Sequence, residues 1–375
     1  MNSLVLASLS LPNLVSRLPG GVAQGIIWGI MALGVYITFR LLDVADLTVD
    51  GSFTTGGAVT VMLIIAGWPA WAALLAAVVA GLLAGLVTGL LHTKLGIPAI
   101  LAGILTQFAL YSINLRIMGR ANVSLLGQPT MITLLDIPQA ILVGGLVAVV
   151  MIAVLYWFFG TEIGCAVRAT GDNGNMARAM GVNTDTMKVL GLTISNGMVG
   201  LAGALLAQYQ GYADVQSGRG AIVIGLASVI IGEVLIGRRA NFAVRMGSII
   251  VGSIVYYVII SFVLQLGLNT SDLKLFSALV VAIALAIPSL RQKLALRQKL
   301  SLRGGAAGKG RRGGMLTITN VSKTFHKGTV NEKVALRDIN ITFETGDYVT
   351  VIGGNGAGKS TLLNLCLLYP SDAAD

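Results

Sequence analysis

Between residues 21 and 290 the sequence returns nine times to a near-continuous apolar run. The runs lie at about 21–39, 52–67, 69–91, 97–119, 138–160, 189–210, 220–237, 247–266 and 274–290. A bilayer's hydrocarbon core takes roughly 20 apolar residues per helix, within a range of about 17–25. It also forbids unpaired backbone amides, so apolar runs of this length must be helices. The expected fold over 1–290 is therefore an all-α polytopic membrane domain of about nine spans. Composition agrees: 55% hydrophobic and 11% charged residues are far from soluble averages. The runs near 52 and 220 are short, Gly-rich and carry small polar residues, the pattern of broken or re-entrant helices that line a cavity. Residues 1–20 carry a single basic residue, Arg17, and lack the positive start of a signal peptide. They read as a short surface or interfacial segment.

The formal charge of +10 does not indicate nucleic acid, because it is concentrated. Residues 1–290 hold 13 Lys/Arg against 10 Asp/Glu, and residues 291–314 hold eight against none. A basic stretch beside the last apolar run is a membrane-surface signature. If the tail is cytoplasmic, alternation puts loops 40–51, 92–96, 161–188 and 238–246 on the same side. Those loops contain Arg40, Lys94, Arg168, Arg178, Lys188, Arg238, Arg239 and Arg245. The opposite side holds Arg17, Arg116, Arg120, Arg219 and Lys274, so the bias follows the positive-inside rule. Cys165 and Cys366 are distant and both assigned to the cytoplasmic side, so no disulfide framework is implied.

After Pro288, residues 291–314 form a basic, Gly-rich linker. From Met315 the pattern changes: "LTITNVSKTF" and "INITFETGDYVTVIGG" alternate as strands do and open a soluble α/β segment, 315–375. Gly353 to Ser360 fits G-x-x-x-x-G-K-[ST], between the β-rich "DYVTVIG" and the helix-like "STLLNLCLL". Glycines there let backbone N–H groups turn inward around phosphates at a helix N-terminus. Gly353, Asn355, Gly356, Gly358, Lys359, Ser360 and Thr361 are the candidate nucleotide contacts. Lys359 would reach the β and γ phosphates, and Ser360 would offer its hydroxyl to Mg²⁺.

These stretches, with "VALRDINITFETGDYVTVIGGNGAGKSTLLN", resemble the opening of an ABC transporter ATPase domain. The resemblance implies ATP with Mg²⁺ as ligand and puts Phe325 where the family stacks an aromatic ring on adenine. An aromatic residue ending a strand serves packing as readily. The family's glutamine loop, signature sequence, Walker B acids and switch histidine are not found after the phosphate loop. Without an acidic Mg²⁺ ligand or a group to orient water, this chain is not expected to hydrolyse ATP by itself. Met315 stands where a separate ATPase reading frame would start, and "CLLYPSDAAD" departs from the family pattern. Both suggest an accidental join.

The apolar part resembles permeases of the branched-chain amino acid ABC importer family, in a subgroup for aromatic or related amino acids. The resemblance rests on "LLDVADLTVDGSFTTGGAV" (41–59) and "TEIGCAVRATGDNGNMARAMGVNTDTMKVLGLTISNGMVGLAGALLAQYQG" (161–211). Within the latter, Asn175 to Gly181 follows the coupling pattern E-A-A-x-x-x-G at Ala177 and Gly181, while Asn175 and Met176 replace the acid and the first alanine. The implied device is a short amphipathic helix whose Met176, Ala179 and Met180 enter a groove on an ATPase subunit. The bland alternative is a solvated loop helix.

Gly197, Gly200 and Gly203 are spaced for close helix approach. Asp43, Asp46 and Asp50, and Glu233 within a thin span, are the notable acids. Burial of an acid in a membrane points to function, yet Glu233 is near enough to the cytoplasmic end to reach the interface. His92 and His326 are the only histidines, so neither a zinc cluster nor a Ser-His-Asp arrangement is available. The implied assembly is an importer subunit in a bacterial plasma (inner) membrane, multi-pass, with its C-terminus in the cytoplasm. Its partners would be ABC ATPase subunits, an extracytoplasmic substrate-binding protein and a second permease subunit, as a homodimer in the lipid bilayer. Two other readings stay open: a fused half-transporter or exporter, and an ion-coupled carrier in which the phosphate loop is adventitious.

Overall fold

The computed structural model describes residues 11–236, 241–265, 316–325, 333–343, 349–351 and 358–366, with positions 275, 279 and 282. The chain divides into two compact units, Met1–Arg291 and Gln292–Asp375.

In the first unit the helices are α1 (Leu11–Tyr36), α2 (Thr48–Ile65), α3 (Ala70–Thr93), α4 (Ala99–Met118) and α5 (Ile137–Gly160). Two short helices follow, α6 (Glu162–Asp172) and α7 (Gly174–Ala179), then α8 (Thr184–Gln210), α9 (Ala221–Ile236) and α10 (Phe242–Gln265). Punctuation in the sequence sets the ends. Pro69 and Pro98 sit in extended backbone before α3 and α4, and Gly119 and Gly211, with φ of 68° and 77°, close α4 and α8. Asp136 caps α5 by accepting the Gln139 amide at 3.1 Å. Between α4 and α5, β1 (Asn122–Ser124) pairs antiparallel with β2 (Tyr212–Asp214), just after α8.

Seven of these helices are long and apolar enough to cross a membrane, and α9 is a shorter apolar one. The expected run at 274–290 lies outside the described residues. One expectation is corrected. The run near 52 is neither broken nor re-entrant: α2 is continuous for 18 residues, with Gly56 and Gly57 packed against α8. Residues 11–20 form the first turns of α1, and residues 1–10 of the expected surface segment lie outside the described residues. The run near 220 forms α9, a 16-residue helix preceded by ten residues of turn and strand.

α1, α2 and α8 form the centre. The α1 span is 83% buried and the α5 span only 17%, so α5 shows most of its apolar surface, as a lipid-facing helix does. Trp68 and Trp71 are exposed at the α2–α3 turn, and Tyr156 and Trp157 near the far end of α5, as interfacial aromatic belts require. The glycine spacing works as expected. A Cβ on Gly56 would overlap the Gly200 carbonyl, and one on Gly203 would overlap that of Phe53, so α2 and α8 touch backbone to backbone.

In the second unit, β3 (Leu316–Phe325) pairs antiparallel with β4 (Lys333–Phe343), with register shifts between Ile318 and Thr324. The helix α11 runs Lys359–Cys366. The expected strand over "DYVTVIG" is not seen at Val349–Val351. Val349 and Val351 are exposed there, and no described residue pairs with them as a strand neighbour must.

Candidate functional site

The α6–α7 element is fixed by local chemistry. Thr161 accepts the Gly164 amide at 3.2 Å to cap α6, and Asn173 accepts the Met176 amide at 3.0 Å to cap α7. Gly181, at φ 84°, ends α7, with the Val182 amide returning to the Ala177 carbonyl. Arg178 then ties α7 to α8 through Thr184 at 2.8 Å and Asp185 at 3.4 Å. Ala177 is buried at 4% exposure, while Met176 and Met180 are 61% and 76% exposed. Asn175, Ala179 and Gly181 are exposed too, so the candidate coupling residues, Ala177 apart, share an open surface.

Beneath this element lies the end of α1. There the helix widens into a π turn, Ile37–Leu41, and Asp43 in left-handed backbone (φ 53°) turns the chain inward. Gly171 of α6 packs on the Leu41 carbonyl so closely that a Cβ would overlap it. Arg168 of α6 stands 5.5 Å from the Phe242 ring of α10. Arg40 meets Glu233 of α9 through two bonds, Nε to Oε1 at 2.8 Å and Nη2 to Oε2 at 2.5 Å. A cavity of about 280 Å³ is lined by Arg40, Arg168, Asp172, Glu233, Phe242 and Arg245, among others. Three of the arginines assigned to one face by alternation thus converge. Glu233, with 18% of its side chain exposed, is the counter-ion of Arg40.

Deeper in, a polar network joins four helices. Asp46 is 2% exposed and accepts from the Thr48 amide at 2.9 Å and from Asn196 Nδ2 at 2.7 Å. The Ser52 hydroxyl donates to Asn196 Oδ1 at 2.7 Å. Thr88 Oγ1 lies 2.7 Å from Thr48 Oγ1 and 2.9 Å from Thr106 Oγ1. Burial pushes the Asp46 carboxyl up, against the opposing pull of its Thr48 and Asn196 bonds. Reading the sequence picked out Asp46 but not Asn196, Thr88, Thr106 or Asn114. The available signal was polar side chains inside otherwise apolar runs.

Residues 212–220 run back along α2. Ala213 is near Gly57, and the Gly218 amide donates to Thr54 Oγ1 at 3.1 Å. Asp50 then accepts the Gly220 and Ile222 amides at 2.9 and 3.1 Å, capping α9 inside the protein. Arg219 was expected on the side opposite loop 40–51, yet it lines one cavity with Asp50, because this segment folds inward.

In the second unit, Gly358 has φ 79° and α11 opens at Lys359, the arrangement a phosphate loop needs. Ser360 and Thr361 lie in its first turn. Gly353, Asn355 and Gly356 lie outside the described residues. Phe325 ends β3, with Lys323 Nζ 5.5 Å from its ring.

Comparison with known proteins agrees with this architecture. Residues 18–288 match the family described as "Branched-chain amino acid transport system / permease component", and residues 336–372 match "ABC transporter". The chain is 41% identical over 273 residues to the "Tyrosine transport system permease protein" of Clostridioides difficile (strain R20291), covering 73% of this chain and 92% of that one. It is 31% identical over 209 residues to the "Autoinducer 2 import system permease protein LsrC" of Yersinia pseudotuberculosis serotype O:1b (strain IP 31758), covering 55% and 58%. A solved structure, "PsaBC from Streptococcus pneumoniae in complex with Fab", aligns with a TM-score of 0.44 at 16% identity, over 76% of this chain and 95% of that one. The fold and the family match define a multi-pass permease of the ABC transporter type. The chain belongs to the branched-chain amino acid transport system permease family, whose members work with ATPase and substrate-binding partners.

Proposed function

We propose that this chain is the translocation subunit of an ATP-driven amino acid importer in a bacterial plasma (inner) membrane. It would act as a homodimer, with ATPase subunits on the α6–α7 face and an extracytoplasmic substrate-binding protein on the other; its C-terminus would be cytoplasmic. One observation carries the reading: α7 presents Met176, Ala179 and Met180 outward from a capped element that bears directly on Leu41 and Phe242. A push on α7 then reaches the ends of α1 and α10 and the neighbouring Arg40–Glu233 pair. ATP binding biases an alternating-access equilibrium through that contact. The named tyrosine permease supports an amino acid as cargo. The C-terminal segment would hold ATP with Mg²⁺ weakly, through Gly353, Asn355, Gly356, Gly358, Lys359, Ser360 and Thr361, with Phe325 beside the base. The driving ATPase is a separate subunit.

The test is a disulfide cross-link. Met176→Cys, in a chain with Cys165 and Cys366 changed to Ser, should cross-link to a cysteine in the co-expressed ATPase subunit's groove. It should react with thiol reagents only from the cytoplasmic side. Labelling of the introduced thiol from outside intact cells would overturn the orientation and with it the coupling role.

A further inference from the structure

The cavity beside Asp50 has properties that packing alone does not explain. It has a volume of about 270 Å³, and Asp50 and Thr54 of α2, Gln107, Phe108, Tyr111 and Asn114 of α4, and Arg219 of the inward-folded segment line it. Asn114 is the informative member. Its side chain is 0% exposed, and neither its Nδ2 nor its Oδ1 has a hydrogen-bond partner among the described residues. A buried amide left unpaired loses its hydrogen bonds to water without replacement, so its presence needs a cause. Two neighbouring polar groups are already committed. Asp50 holds the Gly220 and Ile222 amides, and Thr54 accepts the Gly218 amide and donates to the Asp50 carbonyl. Asn114, fully buried at the cavity wall, keeps both a donor and an acceptor to spare.

Charge narrows the ligand. The cavity wall carries one carboxylate, Asp50, and one guanidinium, Arg219, so a ligand of either single sign would meet repulsion as well as attraction. A molecule that carries both an ammonium and a carboxylate meets neither penalty. The volume lies just below the small end of ligand pockets, about 300–1,000 Å³, and suits one amino acid, not a peptide or a lipid. The position is also apt: the N-terminus of a short apolar helix, α9, opens beside it within the membrane domain.

We propose that this cavity is a transit subsite for the ammonium and carboxylate groups of a zwitterionic amino acid, with Asn114 as its central contact. Asn114 Oδ1 accepts from the ammonium, and Nδ2 donates to the carboxylate. Asp50 and Arg219 set the polarity, and the Tyr111 and Phe108 rings stand at the rim for the side chain. The subsite rests on the importer reading above and adds to it where cargo is held.

The test uses the full chain assembled with its ATPase and binding-protein partners in proteoliposomes, with L-tyrosine and tyramine, its analogue lacking the carboxylate, as probes. Asn114→Leu should raise the KM for L-tyrosine uptake at least tenfold, while Asn114→Gln restores part of it. Arg219→Gln should narrow the preference for L-tyrosine over tyramine. To separate binding from folding, Gln107→Cys in the chain lacking Cys165 and Cys366 is labelled with a cationic methanethiosulfonate. L-Tyrosine should slow the labelling and tyramine should not. Normal uptake with no protection of the thiol introduced by Gln107→Cys and an unchanged KM in Asn114→Leu would overturn the subsite and leave the importer reading standing. No uptake of any amino acid by the wild-type assembly, together with no protection, would overturn both.

Discussion

Arg40 and Glu233, 193 positions apart, close a two-bond ion pair between the π-helical end of α1 and the last turn of α9. Side-chain exposures of 32% and 18% place the pair between the surface and the core. Glu233→Gln should cost about 1–3 kcal/mol, the worth of charge-assisted bonds at a partly wet site. The exchanged pair Arg40→Glu with Glu233→Arg should regain part of that loss, and equal destabilisation in single and double variants would refute the pairing. Thermal unfolding in nanodiscs is the measurement.

Asp46 gives a pH dependence with a definite sign. Its carboxyl is raised by burial above the ordinary value of about 3.9, so the folded chain holds the proton more tightly than the unfolded one. Its contribution is therefore full below about pH 4 and is lost as pH rises through the folded value. Asp46→Asn should flatten that decline, because Asn196 can rotate its amide to accept from the new side chain while still meeting Ser52. Unfolding midpoints from about pH 4 to 8 would show it. Asn196→Leu, which strips both partners at once, should instead destabilise at every pH by roughly 3 kcal/mol.

Gly56→Ala places a methyl group where the Gly200 carbonyl stands. The α2–α8 contact must then open, at a cost of about 1–3 kcal/mol or more. Gly145→Ala, whose Cβ meets nothing within 4 Å, is the matched control and should be neutral or stabilising by up to about 1 kcal/mol, since Ala favours a helix over Gly. Comparable losses in both would mean that close approach does not govern this packing.

Lys359→Ala should leave amino acid uptake by the assembled transporter unchanged, since the ATPase subunits supply the nucleotide cycle. The isolated chain should show no ATP turnover above a vesicle blank. Measurable turnover that disappears in Lys359→Ala would instead make the C-terminal segment part of the motor.

Spans were legible because a hydrocarbon medium punishes every unpaired amide, and runs such as 69–91 and 138–160 have few other solutions. Alternation of charge correctly grouped Arg40, Arg168 and Arg245. Harder to see was α2, whose Thr54, Thr55, Gly56 and Gly57 look like a helix breaking around water. Gly56 and Gly57 serve a close contact with α8, while Thr54 lines the cavity beside Asp50, and only the partner glycines on α8 reveal the difference. The ion pair of Glu233 was hidden for a similar reason: its partner is 193 residues away. Asn114 and Asn196 differ by environment alone, one satisfied and one not, and no local pattern separates them.

The inward-folded segment before α9 carries a consequence for biosynthesis. Its Gly218, Gly220 and Ile222 amides find acceptors only on Thr54 and Asp50 of α2. A nascent chain emerging from the ribosome has inserted α2 long before residue 218 is made, so those acceptors wait in place. A circularly permuted gene that delivered α9 ahead of α2 would release a segment with nowhere to put its amides, and quality control would meet it first.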